Sequence, residues 1–471
     1  MTLPEARSDE RELEGLTSRV LDRTTGGRSI PGNTVRLLVD GPEAYPAMLD
    51  VIEGARQMLL FENYIVRADR IGEHFAGALR DAARRGVTVR VLYDWLGCKT
   101  TPYRYWRMLR DAGIEVLAFN PPRFADLFGN LGRNHRKVVV ADGAEAVIGG
   151  LCIGDEWQGD EAKGMAPWRD TALAIRGPAA AALAVTFHHA WQVAGGRVPD
   201  DEPVGSGEEA GPAAIRVISS LPGRARIARL IELLAAGAVN RLWITDAYTV
   251  VLPQLRSALQ DSARAGVDVR LLVPGASDLP LVRNLTRFGY SDLLRAGVRI
   301  YEWDGPMLHA KCVVADTRWA RVGSSNLNPS SFLGNWELDV LVEHEDLADA
   351  LESQFRRDLA RSSEVGVRPR RFARLQEFDR VLPTRYGRTA PEIPVLVGHR
   401  RMKERGYRAG RTVRSVMAGA RRSLFGPLAG FLLLIAGLFA FLPQAMAIVA
   451  ALLCAWLGIS AAREALRRRS E

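Results

Sequence analysis

Lysine is scarce in this chain: of 63 basic residues only five are lysine, Lys99, Lys137, Lys163, Lys311 and Lys403. Cysteine is scarcer still. Cys98, Cys152, Cys312 and Cys454 form no C-x-x-C pair, which excludes a zinc ribbon or a disulfide framework and fits a reducing compartment. The N-terminus, MTLPEARSDERELEG, lacks the basic-then-apolar order of a signal peptide, so the body of the chain is not expected to be exported. Global disorder is excluded by a hydrophobic fraction of 47% over 471 residues, enough for two or three domains with their own cores. The net charge of +9 calls for an anionic partner, a nucleic acid or an acidic membrane surface.

Two of the five lysines fall in a phrase written twice, Asn134-His135-Arg136-Lys137-Val-Val-Val-Ala-Asp142 and Leu308-His309-Ala310-Lys311-Cys-Val-Val-Ala-Asp316. A glycine, Gly149 or Gly323, follows each aspartate by seven positions. Lysine is a compact point charge where arginine is a flat fork, so an arginine-rich chain that keeps lysine here needs the point charge.

Around these phrases β-rich runs alternate with amphipathic helical runs, which is α/β order. In the first half, helices are expected over 43–57, 73–85 and 103–112; in the second, over 223–237, 252–265 and 279–296. Landmarks recur at a near-constant offset: Tyr64 with Tyr248, Gly86-Val87 with Gly266-Val267, Ala112-Gly113 with Ala296-Gly297. The chain is therefore read as an internal duplication. Residues 1–33 form a mobile lead with room for one short helix, 34–196 a first α/β domain, 197–212 an acidic Pro/Gly linker and 213–365 a second α/β domain. An arginine-rich segment, 366–423, leads to two uncharged apolar stretches, 424–442 and 445–462, each long enough to span a bilayer as a helix. With basic residues before the pair and in the tail 463–471, the expectation is a two-helix hairpin with both ends in the cytoplasm.

On a strand, His135 and Lys137 project from one face, as do His309 and Lys311, so each half offers an imidazole and an ammonium. If the halves pack about a pseudo-twofold, the four meet at one site suited to a phosphodiester. The ammonium groups neutralise phosphate oxygens, one imidazole attacks phosphorus and the other protonates the departing alkoxide. No metal or other cofactor is required. Asp142 and Asp316 are placed at hairpin turns, away from the substrate. His188 and His189, and Trp157, Trp168, Trp191, Trp303 and Trp336, are read as core or rim.

These phrases resemble the phospholipase D superfamily, whose mark is H-x-K-x4-D followed by a Gly-Ser or Gly-Gly element and an asparagine. The resemblance implies two duplicated α/β sandwich domains related by a pseudo-twofold, with His135 as nucleophile and His309 as acid and base. It also implies phosphate contacts from Ser324 and Asn326 in Gly323-Ser324-Ser325-Asn326, and orienting carboxylates at Asp170 and Glu337. The first copy runs Gly149-Gly150-Leu151-Cys152, with Cys152 where relatives have asparagine, so an asymmetric site is expected. Residues 35–360 are similar to bacterial cardiolipin synthases of the B type, although Asn328 replaces an aspartate common in such relatives. That likeness implies phosphatidyl transfer to cardiolipin or a related lipid, with an anionic phospholipid such as phosphatidylglycerol and the bilayer as partners. It implies no nucleic acid and no obligate protein partner. The implied location is the bacterial inner membrane, multi-pass, with catalytic domains on the cytoplasmic side. Hydrolytic phospholipase D or another phosphatidyltransferase is the alternative, and a membrane-anchored nuclease a further one.

Overall fold

Short, mainly apolar runs such as MLLFEN and CVVA are buried along their whole length, as in a strand covered on both faces. They belong to a sheet of fifteen strands in a computed structural model that describes residues 17–122, 132–200, 205, 207–276, 286–287 and 289–366. In the first half these are β1 (Ile30–Val39), β2 (Met58–Asn63), β3 (Thr88–Asp94), β4 (Glu115–Phe119), β5 (Val138–Ala141), β6 (Glu145–Gly149) and β7 (Thr171–Arg176). The second half has β8 (Ala213–Ser220), β9 (Arg241–Thr245), β10 (Asp268–Pro274), β11 (Arg299–Trp303), β12 (Cys312–Ala315), β13 (Trp319–Gly323), β14 (Glu337–Glu343) and β15 (Ser362–Glu364).

From the centre outward the first half runs β1-β7-β6-β5-β2-β3-β4 and the second β8-β14-β13-β12-β9-β10-β11, with β15 added at the far edge. The halves join where β1 and β8 pair antiparallel, so each strand has a counterpart at the same distance from the join. Within each half three parallel strands, linked by helical crossovers, lie beside an antiparallel meander.

Three cores hold the sheet. One lies under helices Pro178–Val193 and Glu345–Leu359 and gathers sheet residues from both halves, including Phe187, Trp191, Leu351 and Phe355. The other two sit on the opposite side of each half, under helices Asp40–Gly54, Arg70–Arg84 and Tyr103–Asp111, and under Arg226–Gly237 and Pro253–Arg264. The shared core makes the described residues one compact unit. The matched glycines have a physical reason. Gly86, Gly113, Gly266 and Gly297 follow crossover helices at φ 87°, 83°, 96° and 97°, the left-handed turn that frees the chain for the next strand.

One expectation needs correction and another is only partly covered by the described residues. The lead is not mobile throughout: residues 17–25 form a helix whose Leu21 is buried in the second-half core and whose Asp22 accepts from Arg216 (2.9 Å), and β1 starts at Ile30. The helix expected over 279–296 is seen as Tyr290–Arg295, since 277–285 and 288 lie outside the described residues. The arginine-rich segment beyond Gly366, the stretches 424–442 and 445–462, and the tail also lie outside them; among the described residues no helix is long and apolar enough to cross a membrane.

Candidate active site

Each His-x-Lys segment runs extended into its strand rather than lying within it, for β5 begins at Val138 and β12 at Cys312. The lead-in segments are therefore free to pair with the opposite half. Asn134 bridges Trp336 and Leu308 bridges Arg169, both in parallel sense. His135 N donates to Trp336 O (2.9 Å) and His309 N to Arg169 O (2.7 Å). Trp336 and Arg169 immediately precede Glu337 and Asp170, so each half brings its carboxylate beside the other half's histidine.

His135 Nδ1 lies 2.9 Å from Glu337 Oε2 and 3.1 Å from Ser324 O, and His309 Nδ1 lies 2.6 Å from Asp170 Oδ2. Every one of these partners is an acceptor, so Nδ1 carries the hydrogen in both rings and Nε2 keeps its lone pair. Neither Nε2 has a hydrogen-bond partner among the described residues. Burial alone would raise Glu337, but His135, Lys137 and Ser324 outweigh it and pull the carboxyl down to about 2. Asp170 is likewise lowered, its burial overcome by His309, Lys311 and the Thr171 N–H. Burial pushes His309 down to about 3, with Lys311 adding to it and Asp170 opposing. Burial also lowers His135, against Glu337, and both lysines push the same way. At rest the site therefore holds two neutral imidazoles on two carboxylates.

Lys137 and Lys311 are buried, and each Nζ donates to the backbone carbonyl of its own histidine. Tyr64 and Tyr248 lie under them, with ring centroids 5.1 and 5.9 Å from the nitrogens. Burial lowers Lys311 to about 8, which Asp170 opposes and Lys137 reinforces. That Lys137 acts on His309, and Lys311 on His135, places all four groups in one electrostatic site.

Asn326 is buried and its Oδ1 has no partner. Ser324 was expected on the phosphate, but its hydroxyl is committed to Glu337 Oε2 at 2.5 Å, so it braces the carboxylate behind His135. Cys152, the counterpart of Asn326, is buried against Lys137, its thiol raised by burial. Asn328 serves a turn, donating to Tyr248 O (2.9 Å) and accepting from Ser331 N (3.0 Å). Asp142 and Asp316 sit at the far ends of β5 and β12 with φ of 53° and 51°. Asp142 accepts from the N–H groups of Arg56, Gln57 and Met58, and Asp316 from Val239, Asn240 and Arg241. Each caps the start of the neighbouring strand.

Three contributors escaped the sequence reading. Trp157, assigned to core or rim, donates its indole N–H to Asp170 Oδ2 (3.1 Å), and its ring and that of Trp168 lie 5.6 and 5.9 Å from His309. Arg169 pairs with Asp358 of the other half at 2.9 Å, fixing the residue next to Asp170. Arg321 and Asp339 form a buried ion pair that grips Ser325. No spacing in the sequence marks any of the three, because each depends on a contact that only the folded chain makes. Among the described residues no cluster of three or more His, Cys, Asp or Glu side chains is placed to hold a metal ion.

Residues 48–156 and 230–359 match the family described as cardiolipin synthase, PLD-like domain. The chain is 34% identical to cardiolipin synthase 2 of Bacillus anthracis over 383 residues, covering 80% of this chain and 74% of that protein. It is 35% identical to cardiolipin synthase A of Pseudomonas aeruginosa over 364 residues, 76% of this chain and 73% of that one. Among solved structures, phosphatidylserine synthase of Haemophilus influenzae Rd KW20 shares the fold, with a TM-score of 0.58 at 15% identity over 74% of this chain and 92% of that one.

Proposed function

This chain belongs to the cardiolipin synthase family of phospholipase D-like proteins and is a phospholipid phosphatidyltransferase, and from that premise we propose that it moves a phosphatidyl group between two phosphatidylglycerol molecules through a phosphohistidine on His135. The observation that carries the reading is the pair of crossed histidine–carboxylate contacts, each with a free Nε2 beside two buried lysines.

A bound phosphodiester brings one negative charge between Lys137 and Lys311. It offsets the lysine field that adds to burial in lowering both imidazoles, and His309 takes up a proton on Nε2 while Asp170 balances the ring. His135 Nε2 then attacks phosphorus, the bond to the glycerol oxygen breaks, and that oxygen takes the His309 proton. Glu337 stabilises the positive ring of the phosphohistidine, and Lys137, Lys311 and Asn326 hold the phosphate oxygens. In the second step the acceptor hydroxyl gives its proton to His309, its oxygen attacks phosphorus and the phosphorus–nitrogen bond breaks. The sum is two phosphatidylglycerols giving cardiolipin and glycerol. Water in place of the acceptor gives phosphatidic acid, the hydrolytic alternative. The stretches 424–442 and 445–462 would hold the enzyme at the bacterial inner membrane, catalytic part on the cytoplasmic side.

Lipid mass spectrometry on the purified protein with phosphatidylglycerol bilayers tests this. Cardiolipin and glycerol formed by the intact chain, and by neither His135→Ala nor His309→Ala, is the expected result. Phosphatidic acid alone would move the reaction to hydrolysis.

A further inference from the structure

Eight large apolar side chains are exposed among the described residues, and the only two aromatic ones, Trp95 and Tyr103, lie within nine positions of one another together with Leu96. They are 39%, 70% and 42% exposed, on the loop after β3 and the first turn of the helix that follows. Exposed Lys99, Arg104 and Arg107 accompany them, and none of the three pairs with a carboxylate among the described residues. Arg110 lies 6.0 Å from the Tyr103 ring, so the outer face of that helix reads aromatic, then basic along its length.

The loop is held out by design of its neighbours. Buried Asp94 accepts from Leu96 N and Gly97 N (2.9 Å each) through one oxygen and from Asn134 N (2.9 Å) through the other. A single carboxylate thus ties the exposed loop to the residue before His135. Gly97 crosses over Tyr64, where a Cβ would lie 2.1 Å from Tyr64 O, and the Tyr64 ring packs edge-on at 4.8 Å from His135. Val66 N donates to Cys98 Sγ (3.2 Å), and the Thr101 hydroxyl donates to Val66 O. The rim is therefore fixed to the catalytic histidine through buried groups, while its apolar tips face solvent.

We propose that this rim, Trp95, Leu96, Lys99, Tyr103, Arg104 and Arg107, is a membrane-docking surface of the catalytic body, separate from the C-terminal apolar stretches, whose partner is an anionic phospholipid leaflet. Indole and phenol rings favour the headgroup level of a bilayer, leucine inserts below it, and unpaired basic side chains meet anionic headgroups. Docking there brings the segment that carries His135, tied to the rim through Asp94 and Tyr64, towards the leaflet, so a lipid phosphodiester reaches it without leaving the membrane. The proposal deepens the reading of the substrate as a phospholipid and rests on it.

Hydrogen exchange measured on the full chain tests the surface without relying on turnover. Segment 95–107 is compared with phosphatidylglycerol vesicles, with phosphatidylcholine vesicles and with a short DNA duplex. Protection of roughly threefold or more with the anionic vesicles alone is expected. No protection with anionic vesicles overturns the proposal, and protection by DNA alone reassigns the surface to nucleic acid. In a second arm, the Trp95→Ala/Leu96→Ala/Tyr103→Ala chain is assayed on phosphatidylglycerol bilayers and on dispersed short-chain phosphatidylglycerol. A loss of about tenfold on bilayers with the short-chain rate kept within about twofold supports docking. Equal loss on both substrates would make the loop a brace for the site. An intact chain that binds the vesicles yet turns over neither lipid would break the functional reading and leave the docking surface standing.

Discussion

The two histidines occupy equivalent places in the strand order, yet their surroundings differ. His309 stands among Trp157, Trp168 and Tyr248, whereas His135 meets Tyr64 alone among the described aromatic rings. The Asp170 oxygen that faces His309 takes its second side-chain donor from the Trp157 indole, whereas the Glu337 oxygen that faces His135 takes its own from Ser324, with Asn335 donating to the other Glu337 oxygen (3.1 Å). Sterics explain the exchange. Gly150 is the counterpart of Ser324, and a Cβ there would sit 2.1 Å from Asp170 Oδ1, so the donor has to come from another element. A duplicated frame has thus kept the geometry of each ring while diverging in what supports it. The more enclosed ring, with the shorter carboxylate contact, suits the group that takes and returns a proton. The ring beside the polar Ser324–Asn326 loop suits the one that carries the phosphate.

Separating the two rings gives the largest expected effect. Alanine at either His135 or His309 should lower lipid turnover by about 10⁴ or more. With a phosphodiester bearing a nitrophenol leaving group, which needs no protonation, His309→Ala should still give a burst of nitrophenol and a trapped phosphoenzyme, and His135→Ala neither. A phosphoenzyme found only in His135→Ala would reverse the roles.

The carboxylates sharpen the same division at smaller cost. Asp170→Asn and Glu337→Gln should each reduce kcat roughly 10² to 10³, since each leaves a ring without the charge that balances its cationic form. On the activated substrate the Asp170→Asn deficit in the burst should largely vanish while that of Glu337→Gln persists. Equal deficits on both substrates would mean that the dyads do not divide the work.

Charge on the second-half lysine sets the next effect. Lys311 is lowered to about 8 by burial, so its ammonium is intact below that pH and is lost as pH rises through it. Loss of the positive charge removes a phosphate partner, and kcat/KM should fall about tenfold per pH unit above the limb. Lys311→Arg, whose guanidinium keeps its charge, should carry the limb upward even at a lower rate. An unchanged limb in that variant would assign it to another group.

Much of this comparison was legible before the fold. The duplicated phrase identified both histidines and lysines, the offset of Gly86 and Gly266 marked the same helix end twice, and the strand alternation gave the α/β order. The spacing of Asp142 and Asp316 put them at turns, where they now cap strands. What could not be read was which carboxylate serves which histidine. That follows from the extended segments 134–137 and 308–311 pairing across the join, a contact between residues about 140 to 200 apart in sequence. Ser324 was misplaced for a related reason: its hydroxyl chooses between substrate and Glu337 only once β14 brings Glu337 alongside.

The smallest expected effect tests whether the second half needs its polar brace at all. Arg321, Ser325 and Asp339 are all buried, and the first half has Val147, Leu151 and Ala172 at the matching places. Arg321→Val alone strands a buried carboxylate and should cost about 3–5 kcal/mol in stability. The triple change Arg321→Val/Ser325→Leu/Asp339→Ala removes the charges and hydroxyl together and imports a set that already packs beside an equivalent hairpin. It should lie within about 1–2 kcal/mol of the parent, read from thermal unfolding of the full chain in detergent. A triple variant no more stable than Arg321→Val would show that the loop carrying Ser324 and Asn326 depends on the ion pair itself. Near-parental stability with a raised KM would place the brace in the service of the phosphate site, because the apolar version supports the fold but no longer fixes Asn326.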